Sequence, residues 1–264
     1  MKIIDFHAHA YQDEVWPRVY AAIKDRFDAT THYEGTVEGL RSAMKEAGIN
    51  FSVVQPVANQ AKHVGGVNDW IESIRDKYDN LLFFGAIHPG VDKPYETVCS
   101  LAEKGFRGVK MQPNAGRYYP NSKECFEIYR ALEENNMVLL THAGDEAKPF
   151  EPMYAHPKNF VEVFKSFPKL KIVLAHLGGY RTWDDLDLVL DYDNAFFDTA
   201  YSFEIGDELF TDLVEEIGLD RIIFGTDYPW YSPKKSVEHA KKLLGSKAEK
   251  VFYSNTAKLL DLSL

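Results

Sequence analysis

Eight short apolar runs are spaced along the chain, and amphipathic segments separate them. This alternation is typical of parallel strands joined by crossover helices. Eight strand–helix units in 264 residues match the usual size of a (β/α)8 barrel. The sequence therefore predicts an α/β fold, a TIM barrel, formed by a single domain over residues 1–264. The runs lie at 3–7, 51–56, 81–87, 108–112, 138–142, 171–176, 195–199 and 221–226.

An open doubly wound sheet is the structural competitor, but no G-x-G-x-x-G motif follows the first run to support it. The segments VEGLRSAMKEAG, VNDWIESIRDKY and SKECFEIYRALEENN are predicted as helices, the first ending at Gly48. Residues 10–35 form a connection too long for a simple loop. We expect a functional lid or a small inserted helix there.

The net charge of −10 comes from acidic residues spread along the whole chain. Nucleic acid or an anionic membrane surface would normally require a basic face, so neither is expected as a partner. No window of 18 consecutive apolar residues occurs, and the N-terminus has no signal-peptide pattern. We expect a cytoplasmic protein that acts on a small molecule, and the sequence allows a homo-oligomer.

The first run, IIDFHAH, carries two histidines separated by one residue. Because side chains alternate along a strand, Asp5, His7 and His9 should share one face. Ile4 and Phe6 should share the other face and pack on the helices. The polar face would then point into the barrel. An H-x-H pair is weak by itself, but its place at the end of a strand is where barrel enzymes have their active sites.

Potential ligands recur at the ends of later runs, as His142, His176 and Asp227. Each alone could be an ordinary hydrogen-bonded or turn residue. Several buried imidazoles around one carboxylate, however, would be costly without a shared cation. The sequence therefore predicts a metal site at the carboxyl ends of the strands.

Lys110 lies in the run GVKMQ, where Val109 and Met111 should face the helices and Lys110 the interior. An inward lysine is costly to bury without a partner. The alternative is a lysine high enough on the strand to reach water.

The motifs IIDFHAH, LLTHAG (139–144), VLAHLGG (173–179) and IIFGTDYPW (222–230) occur in this order along the chain. Together they resemble the amidohydrolase superfamily, in particular the amidohydrolase-related group that includes aminocarboxymuconate semialdehyde decarboxylase. The resemblance implies a metal-dependent barrel enzyme. It implies metal ligation by His7, His9, His142 and Asp227, with Asp227 also able to move a proton. His176 would act on the substrate or water when one metal is bound, or would hold a second ion.

Lys110 bears on the number of ions, because several two-metal relatives bridge their ions with a carbamylated lysine. Unmodified, its ammonium could instead hold a substrate carboxylate. Neutral imidazoles with one carboxylate suit a divalent metal, with zinc as the first candidate and manganese or iron as alternatives. The sequence leaves open whether one or two ions bind.

The predicted reaction is hydrolysis of an amide, cyclic amide or lactone in a small polar or acidic metabolite, by water that the metal activates. The alternative is non-oxidative decarboxylation of an unsaturated or aromatic acid. A barrel that binds a ligand without turnover is a third reading. Arg117 and Trp230 are predicted to bind substrate. Further candidates on the loops are Tyr11, Trp16, Arg18, Gln55, Asn59, Tyr118 and His88.

Overall fold

A computed structural model describes residues 1–262 of the chain, which contain nine short parallel strands. The strands coincide with the eight predicted runs, because the third run forms two strands in succession. Hydrogen bonding joins the first three strands and the last six into two continuous sheets. The strands are β1 (Ile4–Ala8), β2 (Phe51–Val54), β3 (Leu81–Phe83), β4 (Gly85–Ala86), β5 (Gly108–Met111), β6 (Val138–Thr141), β7 (Ile172–Leu174), β8 (Ala195–Asp198) and β9 (Ile222–Ile223).

The two sheets form a closed barrel. β3 pairs with β2 while β4, directly after it in the chain, pairs with β5. On the other side, the amide of Phe6 donates to the carbonyl of Phe224 at 2.8 Å, and the amide of Asp227 donates to the carbonyl of His7 at 2.7 Å. These bonds connect the first strand to the segment after β9. The predicted (β/α)8 TIM barrel is confirmed.

A small apolar cluster fills the lower interior of the barrel, with side chains drawn from strands on all sides. Phe6 and Phe84 meet there edge to face, with ring centroids 5.5 Å apart. The C-terminal helix closes the cluster with Leu259 and Leu260. The strand members are Ile4, Phe6, Val53, Val138, Leu140, Val173 and Ile223, together with Phe84 of the third run and Ala175 directly after β7.

The prediction that Ile4 and Phe6 pack on the helices is therefore wrong. The pairing of β1 with β2 shifts register between Asp5 and Ala8. Such a bulge inserts an extra residue and breaks the strict alternation of side chains. Ile4 and Phe6 thus point inward, and His7 still reaches the interior. Asp5, expected to face the interior beside His7, accepts hydrogen bonds from the amide and hydroxyl of Thr226 at 3.0 and 2.6 Å.

Helices surround the barrel, and the predicted ones are present. The first ends as expected, with Gly48 in a left-handed conformation (φ 70°) after its last residue. They are α1 (Trp16–Phe27), α2 (Val37–Ala47), α3 (Val64–Ile74), α4 (Pro94–Glu103), α5 (Pro113–Gly116), α6 (Lys123–Glu134), α7 (Val161–Ser166), α8 (Asp187–Leu190), α9 (Asp207–Ile217), α10 (Pro233–Leu244) and α11 (Asn255–Leu259).

The long connection after β1 contains an inserted helix, α1, as the length of that segment predicted. Among the described residues, none of the helices has both the length and the apolar character needed to cross a lipid bilayer. The carboxyl ends of the strands and the connection that carries α1 enclose a large cavity.

Candidate metal centre and active site

The cavity has a volume of about 840 Å³ and lies at the carboxyl ends of the strands. Six predicted site residues line it: His7, His9, Lys110, His142, His176 and Asp227. They come from five different strands or the segments directly after them. The barrel topology thus assembles side chains that are distant in sequence, as in other TIM barrels.

His7, His9 and Asp227 form the tightest group, with one ligand atom from each within 4.8 Å of the others. The Asp227 carboxylate oxygen Oδ1 lies 3.2 Å from Nε2 of His9 and 3.6 Å from Nε2 of His7. All three residues are at most 9% exposed. The fold therefore points two imidazoles and a carboxylate at one small volume.

The other ring nitrogens of these histidines are held by oxygen acceptors. Nδ1 of His7 lies 2.9 Å from the Asp198 carboxylate, and Nδ1 of His9 lies 2.7 Å from the carbonyl of Gln55. Because a carboxylate and a carbonyl can only accept, each Nδ1 carries the proton. Nε2 of each ring is left to bind either a proton or a metal ion.

Electrostatics favour the forms of these groups that bind a cation. Burial, reinforced by the charge of Lys110, holds the pKa of His7 well below its usual range. Burial alone would raise the pKa of Asp227, but contact with His9 and the charge of His7 hold it below the usual value. A neutral imidazole and an ionised carboxylate are the forms that bind a divalent metal, so the residues present fit such an ion.

Lys110 is 3% exposed and faces inward as predicted, with Val109 and Met111 in the outer core. Its Nζ lies 3.2 Å from Nε2 of His7. Burial lowers the pKa of Lys110 to about 8, against the opposing charges of Asp198 and Asp227. The cavity floor thus has a lysine that is charged at neutral pH and deprotonates easily.

His142 and His176 form a second pair, with Nδ1 of His142 only 3.1 Å from Nε2 of His176. Nε2 of His142 lies 2.9 Å from the carbonyl of Asp145, and Nδ1 of His176 lies 2.8 Å from that of Ala200. Both outer nitrogens must therefore donate, so in the neutral rings the two facing nitrogens are both acceptors. The part of His142 in metal binding stays a prediction.

His176 and Asp227 both have left-handed backbone conformations, with φ of 61° and 63°. Residues other than glycine occupy this region at a cost that the surroundings must offset, and they concentrate at functional sites. The Asp198 carboxylate supports the first of them by accepting from the amide of His176 at 3.0 Å.

Three residues that contact the candidate site or its neighbours were missed from the sequence: Asp198, Glu146 and Asn114. Asp198 is the last residue of β8, and its place at a strand end could have indicated it. Glu146 is 8% exposed and lies 3.3 Å from Nε2 of His142. Burial raises its pKa to about 8, although a hydrogen bond from Asn114 opposes the shift. Glu146 lies in the irregular segment after β6 and Asn114 in the short helix α5, where no strand pattern indicates a role.

The structure separates the predicted substrate residues into two groups. Trp230 lines the cavity, as do Tyr11, Arg18 and Asn59. In contrast, Arg117 is exposed and is absent from the cavity wall within residues 1–262, so its part in substrate binding stays a prediction.

Gln55 and His88 are also absent from the cavity wall within residues 1–262, and both make local hydrogen bonds. Gln55 donates from Nε2 to the carbonyl of Phe6 at 2.7 Å and thereby supports the strand that carries the histidines. His88 accepts from the amide of Gly90 in a turn, at 3.0 Å.

A barrel with this donor set at its carboxyl end belongs to the class of metal-dependent hydrolases and decarboxylases. The sequence model of a family described as amidohydrolase matches residues 4–262. The chain therefore belongs to the amidohydrolase family, as its motifs indicated.

Solved structures of similar fold cover nearly the whole chain. An uncharacterised TIM-barrel protein from Bordetella bronchiseptica is 20% identical with a TM-score of 0.79, over 99% of each chain. A 2,6-dihydroxybenzoate decarboxylase in complex with 2,6-dihydroxybenzoate is 18% identical with a TM-score of 0.75, over 99% of this chain and 100% of the other. A 5-carboxyvanillate decarboxylase from Novosphingobium aromaticivorans, with bound manganese, is 14% identical with a TM-score of 0.73, over 99% and 97%.

Proposed function

We propose that the chain is a metal-dependent, non-oxidative decarboxylase of an aromatic or unsaturated carboxylic acid. The observation that carries the proposal is the construction of the cavity. A buried lysine and the imidazole cluster form its polar part, and the side chains of Tyr11, Tyr180 and Trp230 form aromatic walls. A planar acid matches both parts at once. The substrates in the names of two similar structures are of this type.

His7, His9 and Asp227 are the proposed holders of one divalent ion, zinc or manganese, and His142 is a further candidate ligand. Such an ion would act as a Lewis acid that polarises an oxygen of the substrate. Lys110 lies beside His7 with its Nζ inside the cavity wall. We assign to its ammonium the binding of the substrate carboxylate.

Loss of carbon dioxide breaks a C–C bond and leaves the electron pair on a carbon of the substrate, which must then take up a proton. His176 lines the cavity beside His142, with Nε2 3.1 Å from Nδ1 of His142, and is the proposed donor of that proton. Asp227 has a pKa below its usual range, so it is ionised at neutral pH. It can accept a proton from an acidic group of the bound substrate.

Hydrolysis of an amide, cyclic amide or lactone is the second candidate. One observation favours it: the cavity contains two carboxyl groups, Asp227 and Glu146, whose pKa values move in opposite directions. Such a pair can divide the roles of base and acid, with one removing a proton from water and the other protonating the leaving group.

The two reactions differ in their products. The protein, loaded with zinc or manganese, would be incubated with hydroxybenzoic and unsaturated acids and with a panel of amides and lactones. We expect carbon dioxide release from an acid, and in D₂O one deuterium on the carbon that lost it. Hydrolysis products without carbon dioxide would replace the proposal with the second candidate. Ligand binding without any turnover would favour the ligand-binding barrel.

A further inference from the structure

Helix α1 (Trp16–Phe27) contributes one whole face to the cavity. Its lining residues recur at intervals of three or four, which places them on the same side of a helix. They are Arg18, Val19, Ala22, Ile23, Arg26 and Phe27. On the opposite side, Lys24 and Asp25 are exposed.

The apolar side of α1 faces the cavity and is not packed into a core. Val19 and Ile23 are only partly buried, and within residues 1–262 no helix or strand packs extensively on α1. Aromatic contacts hold the two ends. The ring of Trp16 lies 5.6 Å from that of Tyr11, and Phe27 lies close to a ring of the loop after β6. The middle of the helix thus presents apolar surface to whatever occupies the cavity.

Arg26 stands out among the cations on this wall because it is partly buried and forms no close ion pair within residues 1–262, although the charges of Glu146 and Arg117 both act on it. Its guanidinium lies 5.1 Å from the ring centres of Phe27 and Phe150. In the described part of the chain, no carboxylate lies within 4.0 Å of its guanidinium, and the guanidinium donates no hydrogen bond. Five N–H donors are therefore available on a group whose orientation two rings restrict.

The neighbouring cations fit this role less well. Arg18 and Lys62 line the cavity but are exposed, and Arg117 is exposed and outside the cavity wall. A partly desolvated guanidinium binds a carboxylate more strongly than an exposed one, since water competes less for its donors.

We propose that Arg26 binds a second carboxylate of the substrate. The substrate would then be a dicarboxylic acid with an apolar body that lies along the Val19 and Ile23 side of α1. The inference rests on the proposed function for the reacting carboxylate, which Lys110 would hold. Arg26 would set specificity by engaging the remote group with two parallel N–H···O bonds.

The test measures binding without turnover, by quenching of tryptophan fluorescence, because Trp70 and Trp230 line the cavity. The probes are benzoate against terephthalate, and biphenyl-4-carboxylate against biphenyl-4,4′-dicarboxylate. In at least one pair we expect the diacid to bind about tenfold or more tightly than the monoacid, as a charge-assisted bidentate contact would allow.

The Arg26→Gln variant should abolish that preference while leaving the affinity for the monoacid within about twofold. Lys24→Gln is the matched control, because it removes one positive charge from the exposed side of the same helix. The control should keep the preference. An equal loss of the diacid preference in both variants would reveal general electrostatic attraction and would overturn the proposal. The proposal would also be overturned if the wild-type protein showed no diacid preference, or if the Arg26→Gln variant retained it.

Arg26 also packs on Phe27 and Phe150, so the melting temperature of each variant is compared with that of the wild type. If the Arg26→Gln variant does not fold, the Arg26→Lys variant takes its place in the test. Lysine keeps the positive charge but lacks the planar guanidinium that can donate two parallel hydrogen bonds. A reduced preference in this variant supports the proposal, and an unchanged one overturns it. The two proposals can fail separately. If the diacid preference depends on Arg26 but no acid releases carbon dioxide, the role of Arg26 in binding stands and the decarboxylase function is wrong.

Discussion

The ring nitrogens of His7 and His9 that point away from Asp227 both contact protein oxygens. Nδ1 of His7 contacts the carboxylate of Asp198, and Nδ1 of His9 contacts the carbonyl of Gln55. Groups of this kind fix the tautomer and orientation of an imidazole ligand and raise its basicity. The metal affinity of the site should therefore depend on residues that never touch the metal.

Replacing Asp198 with asparagine tests this dependence. The side chain keeps its shape but loses the charge that faces Nδ1 of His7, and we expect metal affinity to fall about 10–100-fold. Competition with a fluorescent chelator measures it. Asp193→Asn, at an exposed position before β8, is the control. Unchanged affinity in Asp198→Asn would mean that the carboxylate does not tune the site.

Direct removal of a ligand should have a larger effect. In Asp227→Ala or His9→Ala we expect the metal content per chain to fall towards zero and turnover to be lost, because two ligands hold a divalent ion poorly. Elemental analysis after gel filtration measures the content. His32→Ala changes an exposed histidine and should retain the metal. Full metal content in Asp227→Ala would place the ion elsewhere in the cavity.

Sequence reasoning brought the histidines and Asp227 together because each lies at or just after the end of an apolar strand, and the strand ends of a barrel meet at one face. It missed Asp198, whose partner His7 is distant in sequence, and Glu146, whose burial depends on the packing of a loop. It assigned substrate binding to Arg117, which proves to be exposed. Contacts made through loops have no periodic signal in the sequence.

The alternation of side chains along strand β5 correctly predicted that Lys110 faces inward and that Val109 and Met111 face outward. It failed in β1 because the register shift between Asp5 and Ala8 breaks the two-residue period. Hydrophobicity carries little information about a bulge, since every residue of β1 is buried.

The apolar cluster below the site fills the interior of the barrel as a packed core. Replacing Phe84 tests how rigid this packing is. This side chain is 1% exposed and contacts Phe6. Phe84→Ala should reduce the free energy of unfolding by about 3–5 kcal/mol, because it opens a cavity that the closed barrel cannot fill. Denaturant titration measures it. Leu188→Ala, at a position 38% exposed, should cost about 0.5 kcal/mol. Equal effects would contradict a rigid interior layer.

For the molecule as a whole, the metal should act as a stabilising ligand. Binding to the folded state alone adds roughly 2.7 kcal/mol to the free energy of unfolding when the free metal is a hundredfold above its dissociation constant. Thermal melting with and without zinc or manganese measures the shift. The Asp227→Ala variant should lose most of it. A shift of equal size in that variant would indicate binding at another site or to the unfolded chain.

The hydrogen bonds that close the barrel also determine when the centre can form. His7 and His9 are synthesised before most of the barrel, whereas Asp227 is synthesised after nearly all of it. Because the bond from the amide of Asp227 to the carbonyl of His7 joins β1 to the segment after β9, the three proposed ligands meet only after the circle of strands is complete. A nascent or prematurely terminated chain cannot assemble the ligand set, so metal capture would report that synthesis has passed this point.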